Sequence, residues 1–168
     1  MSNSNDNAVQ LYAPHTDMVM ARLRSPRVKD TPEPEAQARL AKMVDAVALI
    51  IDARHMSPQD ADITAALVVA EIRKDQLAGD LTWEEVGKVL QDGAFGKYGP
   101  VYKVSAATIY NFICSYVDSE EKLELSRKVR ALREGQQRKN QERVAEFLAN
   151  NSEYARILME KARDNSTR

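Results

Sequence analysis

The stretch Leu81–Lys122, "LTWEEVGKVLQDGAFGKYGPVYKVSAATIYNFICSYVDSEEK", contains two helix signals joined by a glycine-rich connection. Thr82 stands three residues before Glu85, the capping-box spacing in which each side chain satisfies a backbone N–H at a helix start. Gly93 marks the expected end of this helix, because glycine favours the position after a helix C-terminus. Ser105 offers the N-cap of a second helix. The apolar residues that should face the core are Val86, Val89, Leu90, Ile109, Phe112, Ile113 and Tyr116.

These two helices are similar to the pair in a helix-turn-helix motif. "LTWEEVGKVL" is similar to the first helix and "VSAATIYNFI" to the recognition helix. Standard motifs use three or four connecting residues, however, whereas about a dozen separate Asp92 from Ser105. Residues 104–117 also carry no Arg or Lys, which base and phosphate contacts usually need. Asn111 could still pair with adenine, but the pattern favours a helix that packs in the core.

The connection between the helices has the composition of a ligand-binding loop. Three glycines permit unusual backbone angles, and Pro100 stiffens the exit. Its aromatic and cationic side chains are Phe95, Lys97, Tyr98, Tyr102 and Lys103. Such a loop suits a backbone phosphate or a stacked base, so Lys97, Tyr98 and Lys103 are candidate nucleic-acid-binding residues. The alternative is a connector whose rings fill the edge of the core.

Residues 35–80, before this stretch, contain two further amphipathic patterns. The first apolar stripe consists of Leu40, Val44, Val47 and Ile51. Ser57 and Pro58 then supply an N-cap and a first helical position, and this helix should end near Gly79. Its expected core-facing residues are Ile63, Leu67 and Ala70, with Val68, Val69 and Ile72 nearby. Only the short "PVYKV" at 100–104 could form a strand, so the predicted class is all-α, a compact helical bundle.

Residues 1–34 have the composition of a disordered tail. They are polar and contain Pro14, Pro26, Pro32 and Pro34, so they bury too little apolar surface to offset the entropy of ordering. The tail includes a basic cluster of Arg22, Arg24, Arg27 and Lys29. This cluster could be a phosphate-binding arm, although the composition favours a solvated linker.

Residues 119–168 form a basic amphipathic extension beyond the core domain predicted over 35–118. Asp118 with Glu121 indicates the start of its helix. A narrow apolar stripe consists of Leu125, Val129 and Leu132. The candidate nucleic-acid-binding residues of this helix are Arg127, Lys128, Arg130, Arg133, Arg138 and Lys139. A helix of this kind suits phosphate contacts, docking on a partner protein or oligomerisation.

The charge of the chain is unevenly distributed, although the net value over 168 residues is only −1. Residues 1–34 hold four basic and four acidic groups, which cancel. Residues 35–118 hold eight against twelve, or −4, and residues 119–168 hold twelve against nine, or +3. A polyanion should therefore prefer the C-terminal third.

Residues for metal, nucleotide or covalent chemistry are sparse. His15 and His55 lie far apart and lack ligand spacing with Cys114, and "GAFGKYG" lacks the Lys-Ser or Lys-Thr pair of a phosphate-binding loop. We therefore expect a protein that is not an enzyme and that uses no metal or cofactor. The single cysteine, together with the lack of a signal-peptide pattern or a long apolar run, predicts a cytoplasmic protein without a membrane segment.

The stretch 81–122 also resembles the core of small all-α proteins from bacteriophages and mobile elements of gut bacteria. The matching positions are Leu81, Thr82, Gly96, Tyr98, Gly99, Tyr102 and Tyr116. The resemblance covers about a quarter of the chain and implies a phage or mobile-element setting in a bacterial host, without implying an activity. Our hypothesis is a non-enzymatic nucleic-acid-associated accessory protein in DNA replication or transcription regulation. The alternatives are an adaptor or inhibitor that docks through residues 119–168 on a larger host or phage machine, and a virion component.

Overall fold

The computed structural model describes residues 17–151 and 156–157, and within them the chain is all-helical. Seven helices follow in order, with no strand in the described part: α1 (Met18–Arg24), α2 (Glu33–Asp52), α3 (Pro58–Lys74), α4 (Gln76–Gly79), α5 (Trp83–Ala94), α6 (Ala106–Val117) and α7 (Glu120–Asn150). The all-α prediction is confirmed, and "PVYKV" forms a loop rather than a strand. No helix in these ranges is long and apolar enough to cross a bilayer.

The helix starts follow the local capping signals. Ser57 Oγ accepts a hydrogen bond from the Asp60 amide at 3.1 Å, and the Thr82 and Glu85 side chains form the predicted reciprocal capping box. The Ser105 side chain accepts from the Thr108 amide at 3.2 Å. Each bond satisfies an N–H that has no partner within its own helix. These predictions of helix starts are confirmed.

The start of α7 differs slightly from the prediction. Asp118 closes α6 by donating its backbone N–H to the Cys114 carbonyl, so it belongs to the preceding helix. Ser119 Oγ accepts a hydrogen bond from the Lys122 amide at 3.2 Å and takes the N-cap role instead. Ser and Asp satisfy the same orphan amides, so composition alone did not distinguish the two adjacent positions.

α2 and α3 form the largest helix–helix contact of the fold. α2 buries the predicted positions Leu40, Val44 and Val47. For α3 the prediction is confirmed in part, since Val68, Val69 and Ile72 are buried, whereas Ile63 and Leu67 are 51% and 55% exposed. Ala61 and Ala65 are the other buried positions of this helix. This helix is apolar on two sides, and the side with Ala65, Val68 and Ile72 is the one that packs.

α5 and α6 complete the core as the sequence predicted. Their buried residues include Val86, Val89, Leu90, Ile109, Phe112, Ile113 and Tyr116. Gly93 does not end α5, which continues to Ala94. It lies instead against α6, where a Cβ on Gly93 would come within 2.4 Å of the Phe112 ring. The glycine therefore permits close helix packing rather than helix termination.

Residues 17–34 depart from the predicted disordered tail, whereas residues 1–16 lie outside the described part of the chain. α1 occupies 18–24, Val28 is fully buried, and the Val28 amide donates to the Leu81 carbonyl at 2.9 Å. An antiparallel bridge pairs Arg27 with Thr82. Buried Val28, backbone hydrogen bonds and ion pairs of Arg22, Arg27 and Lys29 hold this polar segment on the core.

The chain divides into two compact units between Ser126 and Arg127, later than the predicted boundary at 118/119. The shift arises because the first turn of α7 belongs to the first unit. Glu121 forms ion pairs with Lys88 and Lys97, and Lys122 pairs with Glu85.

Candidate functional site

A cleft of about 370 Å³ lies between the 95–105 loop and α6. Its lining consists of Tyr98, Pro100, Val101, Tyr102, Lys103, Thr108, Asn111, Phe112 and Ser115. Three of the predicted nucleic-acid-binding residues, Tyr98, Lys103 and Asn111, therefore meet at one place. We call this feature the loop cleft.

The loop is shaped by two glycines in a backbone region that other residues rarely adopt. Gly96 has φ of +84° and Gly99 has φ of +109°. The Gly96 amide donates to the Gly93 carbonyl at 2.9 Å, and the Gly99 amide donates to the Gly96 carbonyl at 3.1 Å. These consecutive turns reverse the chain, so that residues 100–104 run beside α6.

Tyr98 anchors the loop on the core. Its ring centroid lies 5.9 Å from that of Phe112, with the planes tilted by 39°, within the range of a favourable aromatic pair. Burial raises the pKa of the Tyr98 phenol to about 12, so the hydroxyl stays protonated at neutral pH. This residue matches the alternative sequence interpretation, a ring that fills the edge of the core.

Tyr102 and Lys103 remain in solvent at the mouth of the cleft. Tyr102 is 87% exposed, and Lys103 forms no ion pair within residues 17–151. The Thr108 hydroxyl donates to the Lys103 carbonyl at 3.0 Å and ties this part of the loop to α6. The backbone is thus held in place while both side chains stay accessible.

One face of α6 supplies the polar wall of the cleft. Thr108, Asn111 and Ser115 are spaced by three and four residues, which places them on one side of the helix. The opposite side, with Ile109, Ile113 and Tyr116, is buried. The helix therefore packs as the sequence favoured, while Thr108, Asn111 and Ser115 of its outer face line the loop cleft.

Lys97, a predicted phosphate-binding residue, is engaged within the fold. Its Nζ lies 2.9 Å from Asp92 and 2.7 Å from Glu121, and Lys88 contacts the same two carboxylates at 2.5 and 2.7 Å. Hydrogen bonds to Asp92 and Glu121 raise the pKa of Lys97 above its usual range. Since each cation is shared by two anions, Lys97 has little free charge for a phosphate.

The predicted basic residues of α7 are all exposed. Residues 127–140 carry six cationic side chains against one acidic side chain, Glu134. Arg130 pairs with Glu134 at 2.8 Å, and Arg138 lies 4.0 Å from Glu142. No ion pair occupies the other four cations, Arg127, Lys128, Arg133 and Lys139, within residues 17–151. We call this segment the basic helix.

The basic cluster predicted in the N-terminal segment faces the protein instead. Arg27 and Lys29 pair with Asp80 at 3.2 and 2.6 Å. Arg22 pairs with Glu85 at 2.7 Å and donates to the Asp80 carbonyl. The hypothesis of a phosphate-binding arm is therefore contradicted for these three residues, because they form ion pairs with Asp80 and Glu85.

A buried ionic cluster around Glu85 is the feature that sequence reasoning missed. Glu85 has no exposed surface and accepts from Lys122, Arg22 and the Thr82 amide at 2.5, 2.7 and 2.9 Å. Burial alone would raise the pKa of Glu85, but the attraction of Lys122, the Thr82 hydrogen bond and the charge of Arg22 outweigh it, so the pKa is lowered. The sequence signal that could have indicated this cluster is Glu85 itself, a capping-box glutamate that lies among the apolar positions of α5.

The described residues contain no group of three His, Cys, Asp or Glu side chains able to hold a metal ion. Glu85 is ionised and surrounded by hydrogen-bond donors. It therefore suits a structural role as an acceptor better than a catalytic role as a proton donor. Among the described residues, the loop cleft and the basic helix are the surfaces that hold accessible side chains predicted to bind a ligand. Comparison with family models, curated proteins and solved structures finds no match to this chain.

Proposed function

We propose that this chain is a non-enzymatic nucleic-acid-associated accessory protein, acting in DNA replication or transcription regulation. The single observation that carries the proposal is the basic helix, with six exposed cations against one anion over residues 127–140. Binding of cations along a nucleic acid releases condensed counterions, which drives association without sequence reading. The resemblance of residues 81–122 to phage and mobile-element proteins supports such a setting in the cytoplasm of a bacterial host.

The arrangement of the cations supports backbone contacts rather than base recognition. Arg127 and Arg138 are eleven residues apart, or about three helical turns, and lie about 16 Å apart along one side of the helix. Lys128 and Lys139 repeat this spacing. Glu142 and Glu146 follow this stretch, so the excess of positive charge lies in the middle of α7. Such a helix binds phosphates with weak sequence preference and strong salt dependence.

The test is fluorescence anisotropy of labelled oligonucleotides titrated with the full chain at several salt concentrations. We expect saturable binding that weakens as salt rises. Arg130→Glu with Arg133→Glu should reduce the slope of log affinity against log salt by about two or more. The charge-matched control is Lys42→Glu with Lys74→Glu, two exposed lysines of α2 and α3. Unchanged affinity in the basic-helix variant would refute the proposal.

A protein–protein adaptor or inhibitor is the second candidate, favoured by apolar side chains of α7 that remain exposed. Leu132 and Val144 are about half exposed, although the helix is otherwise strongly polar. In this case Leu132→Asp with Val144→Asp should release a partner captured from infected cells, whereas the Arg130→Glu, Arg133→Glu variant should retain it. A virion component would instead be found in stoichiometric amount in purified particles.

A further inference from the structure

The loop cleft is a second surface with the chemistry of a ligand site, separate from the basic helix. We propose that it binds one unpaired base together with an adjoining phosphate, so that the protein prefers single-stranded over duplex nucleic acid. This inference rests on the proposed function and specifies the form of the nucleic acid. The cleft volume of about 370 Å³ lies within the range of about 300–1,000 Å³ found for small-ligand pockets.

Tyr102 supplies a stacking surface. Tyr102 is 87% exposed, yet the backbone carbonyl of its neighbour Lys103 is held on α6 by the Thr108 hydroxyl. A ring on a restrained backbone loses little conformational entropy when a base stacks on it. Stacking on an aromatic side chain accepts any base, because every base has a π-face.

The outer face of α6 supplies polar groups for a base edge. The side-chain amide of Asn111 offers both donor and acceptor atoms, and no residue within 17–151 forms a hydrogen bond with this side chain. Thr108 and Ser115 flank Asn111 on the same wall of the cleft. In a duplex the Watson–Crick edge is already paired, and stacking on Tyr102 would require the base to leave its neighbours. An unpaired base meets neither obstacle.

The electrostatics of the cleft suit a single phosphate. Lys103 is the one charged side chain among the lining residues, and no carboxylate is present there. The other loop lysine, Lys97, is held by Asp92 and Glu121. Lys103 therefore brings uncompensated positive charge to the mouth of the cleft, beside the exposed tyrosine.

The experiment compares two aromatic substitutions in one loop, using the full chain. Phe95 is 72% exposed but does not line the cleft, so Phe95→Ala is the matched control for Tyr102→Ala. The probes are a labelled oligothymidine of about 16 nucleotides and a duplex of equal length. We expect Tyr102→Ala to weaken single-strand binding roughly 5- to 150-fold, with little effect on the duplex. Phe95→Ala should stay within about twofold for both probes.

The salt dependence separates the two contributions. Tyr102 carries no charge, so Tyr102→Ala should leave the salt slope unchanged while lowering affinity at every salt concentration. Lys103→Ala should reduce the single-strand slope by about 0.7, the value for one phosphate. Tyr102→Phe keeps the ring and should retain affinity for the single strand.

The outcomes distinguish this inference from the proposed function. If the unmodified chain binds neither probe at low salt, the proposed function fails and the inference fails with it. If the chain binds but Tyr102→Ala matches Phe95→Ala, the basic helix alone binds nucleic acid and the cleft proposal is overturned. Equal affinity of the unmodified chain for single strand and duplex would also overturn it.

Discussion

The Lys122 ammonium lies 2.5 Å from Glu85 Oε1, while the Arg22 guanidinium lies 2.7 Å from Glu85 Oε2. One buried carboxylate thus connects α1, α5 and the first turn of α7. The Tyr116 hydroxyl of α6 is within 3.4 Å of the same group. Four helices, α1, α5, α6 and α7, share this buried carboxylate, so we expect it to contribute to the stability of the fold rather than to ligand binding.

Glu85→Gln should destabilise the fold strongly. Removing one partner of a buried ion pair leaves the other charge without compensation, and the cost is commonly about 3–5 kcal/mol in the free energy of unfolding. The measurement is urea denaturation followed by fluorescence of Trp83, the one tryptophan of the chain. The control is Glu71→Gln, whose ion pair with Lys74 is exposed and should contribute less than about 1 kcal/mol. Equal effects of the two variants would contradict the structural role of Glu85.

The free energy of unfolding should decrease in acid. The pKa values of Glu85, Asp92, Glu121 and Asp80 are all lowered, because their lysine and arginine partners outweigh burial, which alone would raise them. A carboxyl with a lowered folded-state pKa stabilises the fold above its unfolded pKa, about 4.3 for Glu. That stabilisation is lost as the pH falls through the folded-state pKa. Denaturation curves between about pH 3 and 7 test this, and constant stability would contradict it.

Two glycine-to-alanine substitutions should have opposite effects. Gly93→Ala places a Cβ within 2.4 Å of the Phe112 ring and should cost about 1–3 kcal/mol through overpacking. Gly135→Ala meets no atom within 4 Å and should stabilise α7 by about 0.5–1 kcal/mol, because alanine favours helix. Thermal unfolding measured by circular dichroism would show the two shifts. A stabilising Gly93→Ala would mean that α5 and α6 pack too loosely for a Cβ at position 93 to meet the Phe112 ring.

Thr31→Val should lower the free energy of unfolding, because it removes the hydroxyl that accepts a hydrogen bond from the buried Trp83 side chain. The Trp83 Nε1–H donates to Thr31 Oγ1 at 2.9 Å, and the indole is almost fully buried. Without an acceptor, the N–H incurs a desolvation cost of about 1–3 kcal/mol. Thr31→Ser keeps the hydroxyl and serves as the control. The Thr31 hydroxyl also donates to the Arg27 carbonyl at 2.9 Å, so equal unfolding midpoints for the two variants would show that neither hydrogen bond contributes.

Lys97 and Lys103 should behave differently although both lie in the same loop. Lys97→Ala removes a cation shared by Asp92 and Glu121, so it should lower stability and change nucleic-acid affinity little. Lys103→Ala should lower affinity and leave stability within about 0.5 kcal/mol, as for most surface substitutions. Anisotropy titrations and urea denaturation of both variants provide the comparison. A larger loss of affinity for Lys97→Ala would reverse this assignment.

The sequence by itself determined the features that depend on neighbouring residues. The caps at Ser57, Thr82 and Ser105 were predictable because an N-cap bond spans two or three residues. The buried stripes of α2, α5 and α6 were predictable because each helix has one clearly apolar side. The exposed basic helix followed from composition, since a dense run of cations is rarely buried.

Only the tertiary structure decided the features that join distant segments. α3 is apolar on two sides, and its packing buried the side with Ala65, Val68 and Ile72 and left Ile63 and Leu67 exposed. Lys97 forms an ion pair with Glu121, which is 24 residues away in the sequence. Glu85 likewise pairs with Arg22, which is 63 residues away. Propensity and periodicity act within a few residues of the chain, whereas ion pairing and close packing depend on which segments meet in space. For that reason the helices were predictable from sequence, but the partners of their charged side chains were not.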